Sequence, residues 1–290
     1  MDVTAFEEHR PLLFAIAYRM LGTVAEAEDV VQDAYLRWRT AAGVRDPRAY
    51  LATAVTRLSV DRLRSAQRRR ETYVGPWLPE PLLGAAPDAW ESVELRESLS
   101  LAFLTLLEAL APPERAALLL REVFAYPYDE IAGMLARTEA SVRQLVHRAK
   151  RRLGSGARRA VPSEEEHREV LRLFLRACSE GDVAGLATML AEDAVAYTDG
   201  GGETPAARRP VRGAARVARF LVNLTRKVTD GTTVDVVRVN GAPGIVLRDR
   251  DALATVLALD VRAGAVAGVY VVAAPSKLAR ASVGVGEVLA

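Results

Sequence analysis

"YDEIAGMLARTEASVRQLVHRAKRRL", residues 128–153, joins two short apolar periodicities through a three-residue break and ends in a cluster of positive charge. Ile131, Met134 and Leu135 give the first segment an inward stripe, while Ala132 and Gly133 leave room for close helix packing. Thr138 can cap the second helix, with Glu139 in a first turn that favours a carboxylate. Val142, Leu145, Val146, Ala149 and Leu153 then face inward, which leaves Ser141, Gln144, Arg148 and Arg151 on one outward side and Arg143, His147 and Lys150 beside it. Hydroxyl, amide and guanidinium groups at the start of such a face can meet base edges, and basic residues further along suit phosphates. The pattern fits a helix-turn-helix, but an ordinary αα-hairpin shares its spacing. The rest of the chain decides between them.

A second basic surface lies upstream. "DPRAYLATAVTRLSVDRLRSAQRRR" (46–70) starts with an acid that can cap and a proline at the first helical position. Tyr50, Leu51, Ala54, Val55, Leu58 and Leu63 pack inward, and Arg57, Arg62, Arg64, Arg68, Arg69 and Arg70 line the remainder. Residues 44–72 hold eight arginines against three acids, and residues 137–159 hold eight basic residues against one acid. In a chain whose net charge is only +2, two such blocks point to two contacts with a polyanion. Continuous charge along one helix suits a nucleic-acid backbone. Asp61, inside that run, would orient an arginine or accept from a base amino group.

The segment before it has the opposite character. In "AEDVVQDAYLRW" (27–38), Asp29 and Asp33 stand four apart on one helical face, with Gln32 beside them and Glu26 one turn earlier. Like charges at that spacing weaken a lone helix. The face is either a solvated one or a docking surface for a basic protein partner, with Val30 and Trp38 supplying apolar contact.

The 290 residues exceed what one small core needs, and half of them are apolar, so several globular domains are expected. No run approaches the ~20 apolar residues of a membrane span, and acids and arginines occupy the first thirty positions. The expectation is a cytoplasmic protein without a membrane association. Cys178 is the single cysteine, and His9, His147 and His167 lie far apart, so no disulfide, metal site or cofactor is expected.

Residues 1–72 read as helices, and 73–90, with four prolines and two glycines, as a linker too apolar at Trp77, Leu78, Leu82, Leu83 and Trp90 to be a free tether. Helices return over 91–153, including one read across "SVELRESLSLAFLTLLEAL", and 154–163 form a looser linker. From 164 to 290 the texture changes to a helix, a short strand, a glycine loop, a helix over roughly 211–228 and β-rich stretches. This predicts an α+β domain with a curled antiparallel sheet. His167, the only histidine there, reads as a surface residue, so acid–base catalysis has no evident group. Three successive glycines, Gly200 to Gly202, suit a loop approached closely by another segment.

The order of these segments resembles the bacterial RNA polymerase sigma factors of the extracytoplasmic-function group. "AEDVVQDAYLRW" resembles the core-binding segment of region 2, which implies that Asp29, Gln32, Asp33 and Trp38 meet the clamp helices of the largest catalytic polymerase subunit. "DPRAYLATAVTRLSVDRLRSAQRRR" resembles the segment that melts the −10 element, implying Arg57, Asp61, Arg62, Arg64, Arg68 and Arg69 as its DNA contacts. The opening hairpin resembles the −35-reading part of region 4, implying Ser141, Arg143, Gln144, His147, Arg148 and Arg151. "WLPEP" (77–81), "YTDGGGE" (197–203) and "APSKL" (274–278) resemble signatures of the subtype with a fused SnoaL-like domain of the NTF2-like fold. Glu203 replaces a lysine of that pattern, and Ala274 and Ser276 also depart from it.

The resemblance implies two all-α sigma domains (1–72 and 91–153) followed by an α+β SnoaL/NTF2-like cone (164–290). It implies a non-enzymatic promoter-recognition subunit that partners core RNA polymerase and promoter DNA, is monomeric when free and needs no separate anti-sigma protein. Regulation would come from the C-terminal domain, with Trp77, Pro79, Asp199, Gly200, Gly201, Gly202, Pro275, Lys277 and Leu278 as interdomain residues. The alternative reading is a helix-turn-helix regulator whose C-terminal domain senses a small ligand. A cyclase or hydrolase with a helical appendage is third.

Overall fold

The structure, a computed structural model, describes residues 3–84, 98–154, 162–250 and 252–281. Part of the 154–163 linker, Trp90 and the first residues of the helix read at 92–110 lie outside the described residues. The chain divides into two compact units.

The first unit holds residues 3–72, Ser98 and 103–154. Its helices are α1 (Val3–Leu21), α2 (Val24–Thr40), α3 (Pro47–Arg70), α4 (Leu101–Leu107), α5 (Pro112–Glu122), α6 (Tyr128–Leu135) and α7 (Glu139–Leu153). The first two residues of α4 count with the second unit. Local chemistry sets the ends. The Asp46 carboxylate accepts from the Ala49 amide at 3.0 Å and Pro47 opens α3, as read. Thr138 caps α7 through the Ser141 amide at 3.3 Å. At the end of α6 the Arg137 amide reaches the Ala132 carbonyl and the Ala136 amide the Gly133 carbonyl. This is a Schellman closure, built on Ala136 at φ +50° where glycine is the usual residue.

The two helical segments read as separate domains form one unit. A carboxylate explains much of this: Glu108 sits between Arg70 and Arg115, accepting from Arg115 at 2.7 Å and pairing with Arg70. Arg115, 1% exposed, also donates to the Met20 carbonyl at 2.9 Å, and Gln67 donates to the Leu110 carbonyl at 3.0 Å. Buried guanidinium groups need such partners, and these tie α3 and α1 to α5 and the turn after α4.

The second unit comprises Tyr73–Gly84, Leu99–Ala102 and the chain from Pro162. It contains α8 (Glu164–Glu180), α9 (Val183–Met189), β1 (Leu190–Asp199), β2 (Val211–Arg212), α10 (Ala214–Thr225), β3 (Thr232–Val239), β4 (Ala242–Asp249), β5 (Ala252–Arg262), β6 (Ala265–Val272) and α11 (Pro275–Ala281). The strand order is β2-β1-β6-β5-β4-β3. The sheet was expected to be antiparallel; it is mixed, because β1 lies parallel to β6 while the other pairs are antiparallel. The chain reaches β6 only after α10 and the β3–β6 meander, the kind of long connection that a parallel pair requires.

Strand alternation divides the buried side chains between two faces. Ala194, Ala196, Leu257, Leu259, Val269 and Val271 pack with Leu171, Phe174, Leu186, Val217 and Leu221 of α8, α9 and α10. Val237, Val246, Val256, Ala258, Tyr270 and Val272 face the other way. That second face is covered by Leu78 of the Pro-rich stretch, by Leu101 and Ala102, and by Leu278 of α11. The stretch that was too apolar for a tether is a layer of this unit.

Candidate nucleic-acid interface and regulatory site

The acidic face of α2 carries its own counter-charge. Arg62 of α3 donates to Asp29 at 2.9 Å and to Asp33 at 3.4 Å, which offsets the repulsion between the two acids. Arg69 pairs with Glu26 at 2.6 Å, and Arg64 with Asp61 at 3.0 Å, so Asp61 orients an arginine. All four bridges are at least partly open to solvent, where such bridges are weak and exchangeable. Arg68 is exposed. Arg57 instead donates to the Gly133 and Met134 carbonyls, both at 2.8 Å, at the C-terminal end of α6, a position that favours a cation.

On α7, Val142, Leu145, Val146, Ala149 and Leu153 are buried, while Arg143, Gln144, His147, Arg148 and Arg151 are exposed and Ser141 is half-buried. Arg148 and Arg152 share the buried Glu114 of α5 at 3.1 and 3.0 Å. Arg143 lies over the Tyr128 ring at 4.2 Å and pairs with Glu139. Arg143, Arg148 and Arg152 are thus held from behind by Tyr128 and Glu114.

In the second unit the chemistry converges on Asp199, 1% exposed at the end of β1. Its Oδ1 accepts from the Tyr73 hydroxyl at 2.6 Å and the Gly201 amide at 3.0 Å. Its Oδ2 accepts from the Leu78 amide at 2.8 Å and from Lys277 Nζ at 2.6 Å. Lys277 also donates to the Leu78 carbonyl and lies over the Trp77 ring at 4.3 Å. Burial pushes the Tyr73 hydroxyl pKa up, and its bond to Asp199 adds to this, so it remains a donor. Only glycine fits at Gly200, where a Cβ would stand 2.1 Å from the Thr204 carbonyl oxygen. A Cβ on Gly202 would meet Val74 at 3.4 Å, so the loop is approached from the linker side. Glu203, which stands where the resemblance has lysine, accepts from Ser276 at 2.7 Å. Pro79 is buried, Leu278 is in the core, and Pro275 is exposed at the start of α11.

Residues 5–69 match the family described as Sigma-70 region 2, and residues 100–153 match Sigma-70, region 4. The chain is 40% identical over 235 residues to ECF RNA polymerase sigma factor SigJ of Mycobacterium tuberculosis, covering 80% of this chain and 75% of that one. The chain belongs to the extracytoplasmic-function sigma factors. It is also 35% identical over 280 residues to the probable ECF sigma factor SigI of the same species, with 94% and 93% covered. The crystal structure of M. tuberculosis SigJ superposes with a TM-score of 0.76 at 33% identity, covering 96% of this chain and 98% of that one. The fold class is thus helical sigma regions followed by an α+β domain, and the function is that of a promoter-recognition sigma factor.

Three expected placements are corrected. Trp38 was read as an apolar contact beside Asp29 and Asp33, but it is 2% exposed and packs against Tyr50 at 5.9 Å. Val30 is likewise fully buried; the exposed apolar residue of α2 is Leu36, at 51%. The spacing held that signal, since Ala27, Val30, Val31, Ala34 and Trp38 form one inward stripe of α2 and Asp29, Asp33 and Leu36 fall outside it. His167 was read as a surface residue, yet it is 7% exposed. Its pKa is lowered by burial, against the opposing fields of Asp260 and Glu164. Sequence reasoning missed Tyr73, Glu108, Glu114 and Asn240, each of which owes its place to tertiary packing. Among the described residues no group of three His, Cys, Asp or Glu side chains is placed to hold a metal, and no helix is long and apolar enough to cross a membrane.

Proposed function

We propose that this sigma factor is controlled within its own chain, by docking of the Tyr73–Gly84 linker on Asp199. The observation that carries the reading is the set of donors on that carboxylate: Tyr73 and Leu78 come from the linker, while Gly201 and Lys277 come from the glycine loop and α11. The linker joins region 2 to region 4, so holding or releasing it sets the arrangements those regions can adopt on polymerase and promoter. Residues 1–72 and 91–153 act as the sigma regions, 73–90 and 154–163 as their linkers, and 164–290 as the regulatory domain in place of a separate anti-sigma protein.

In the active complex, Asp29, Gln32 and Asp33 dock on the clamp helices of the largest catalytic polymerase subunit, with exposed Leu36 as the apolar contact. Arg62 leaves the two acids and joins Arg57, Asp61, Arg64, Arg68 and Arg69 on the melted −10 strand. Its exposed bridges are weak enough to exchange for phosphate. Ser141, Arg143, Gln144, His147, Arg148 and Arg151 read the −35 element. The protein works in the cytoplasm, is a monomer when free and catalyses no reaction of its own.

Run-off transcription with core polymerase tests this. Full-length protein is expected to initiate, Asp29→Ala/Asp33→Ala to lose core binding and initiation, and residues 1–163 to initiate at a rate about fivefold or more away from full length. Wild-type transcription by the double variant overturns the docking assignment. Equal rates for full length and truncation overturn control by the C-terminal domain.

A further inference from the structure

The second unit grips the linker at a second place, away from the glycine loop. Leu82, Leu83 and Gly84 run antiparallel to the end of β3. Leu83 pairs with Val239, the Gly84 amide donates to the Arg238 carbonyl at 3.0 Å, and the Asn240 amide donates to the Leu82 carbonyl at 2.8 Å. The Asn240 side chain completes the arrangement. Its Oδ1 accepts from the Leu82 amide at 3.0 Å, and its Nδ2 donates to the Leu99 carbonyl at 2.9 Å. One amide group thus binds the chain on both sides of residues 85–97.

Asn240 also opens the β3–β4 turn, at φ +51° with Gly241 at φ +82°. Asparagine and glycine both suit such a turn. The turn alone gives no reason for the side chain to be buried, yet Asn240 is 2% exposed beneath two other segments. Nor does an edge strand need a partner from outside its sheet, although covering it satisfies otherwise open backbone groups.

We infer that Asn240 is a second latch for the linker, and the only residue among those described that hydrogen-bonds through its side chain to both Leu82 and Leu99. The inference rests on the reading that linker docking controls the sigma factor. It adds that breaking the Asp199 bonds frees only the Tyr73–Leu78 part, while Leu82–Gly84 and the segment leading into region 4 stay attached. Full release requires both sites to open.

The test is hydrogen exchange on the intact protein, with Asn240→Gly, Asn240→Asp and Asp199→Ala. Glycine keeps the positive-φ turn and removes both side-chain bonds. Aspartate keeps the acceptor for the Leu82 amide and loses the donor to Leu99. The Asn240→Gly change is expected to speed exchange at Leu82 and over 99–102 about ten- to a hundredfold, the effect of one or two lost hydrogen bonds. Asn240→Asp should act over 99–102 alone, and exchange in β4 and β5 should stay as in wild type for both. Unchanged exchange over 99–102 in both Asn240 variants overturns the latch. Transcription by Asn240→Gly is expected to shift in the same direction as by Asp199→Ala. If Asp199→Ala shifts transcription and Asn240→Gly speeds exchange without shifting it, the regulatory role of Asn240 is overturned. If both speed exchange and neither shifts transcription, control by the linker fails while the tie at Asn240 stands.

Discussion

Replacing Asp199 by alanine removes the acceptor for the Tyr73 hydroxyl, the Gly201 and Leu78 amides and the Lys277 ammonium at once. Lys277, 8% exposed, would be left as a buried cation without its carboxylate, beside the Leu78 carbonyl and the Tyr73 and Trp77 rings. Breaking a buried ion pair from one side costs about 3–5 kcal/mol. Removing the lysine instead, as Lys277→Met, leaves Asp199 with its three other donors and keeps the packing of the side-chain stem. That change should cost about 1.5–3 kcal/mol, the range for a hydrogen bond to a charged group. The double variant then carries neither the buried cation nor the buried carboxylate. It should be more stable than Asp199→Ala alone, although it lacks one more native group. Urea-dependent hydrogen exchange of the β5 and β6 amides reports this unit separately from the helical one. If the double variant is less stable than Asp199→Ala, or the two costs simply add, the carboxylate is not the electrostatic centre of the site.

Three further outcomes follow from particular residues. Ala136 holds a left-handed conformation, so Ala136→Gly should stabilise the helical unit by about 0.5–1 kcal/mol in urea unfolding. Tyr128→Leu removes the ring beneath Arg143 and should weaken binding to −35 duplex about two- to fivefold by fluorescence anisotropy, as expected for an exposed cation–π contact of about 0.5–1 kcal/mol, while Tyr128→Phe leaves it unchanged. His167 has a folded pKa below its ordinary 6.5, because burial disfavours the cation. Above 6.5 both states are neutral; below it the unfolded chain takes up the proton first, so stability falls from there until the folded pKa is passed. The slope is at most about 1.4 kcal/mol per pH unit for one proton, and His167→Gln should flatten it in unfolding curves taken between pH 7.5 and 5.5.

The helices were legible because their signals are local. Capping by Asp46 and Thr138 and the stripe from Val142 to Leu153 need only neighbours within a few residues. The glycine loop was legible as a place of close approach, since consecutive glycines leave space that only another segment can use. What was not legible depends on distant partners. The parallel β1–β6 pair arises from a chain return spanning the whole sheet. The burial of His167 depends on α8 packing against a sheet whose order was unknown. Asn240 carried no signal in the sequence, because nothing within ten positions of it shows that Leu82 and Leu99 lie above it. Trp38 was misplaced for a different reason. The stripe of α2 was visible, but the aromatic was assigned by its chemistry rather than by its position on the helix.

The most direct test of control through the docked linker is the initiation rate of intact wild-type protein and the Asp199→Ala variant. Both are assayed with saturating core polymerase on the same promoter, with exchange at the Tyr73–Leu78 amides followed in parallel. The account predicts faster exchange in the variant and an initiation rate changed by about fivefold or more. Faster exchange with an unchanged initiation rate would contradict it.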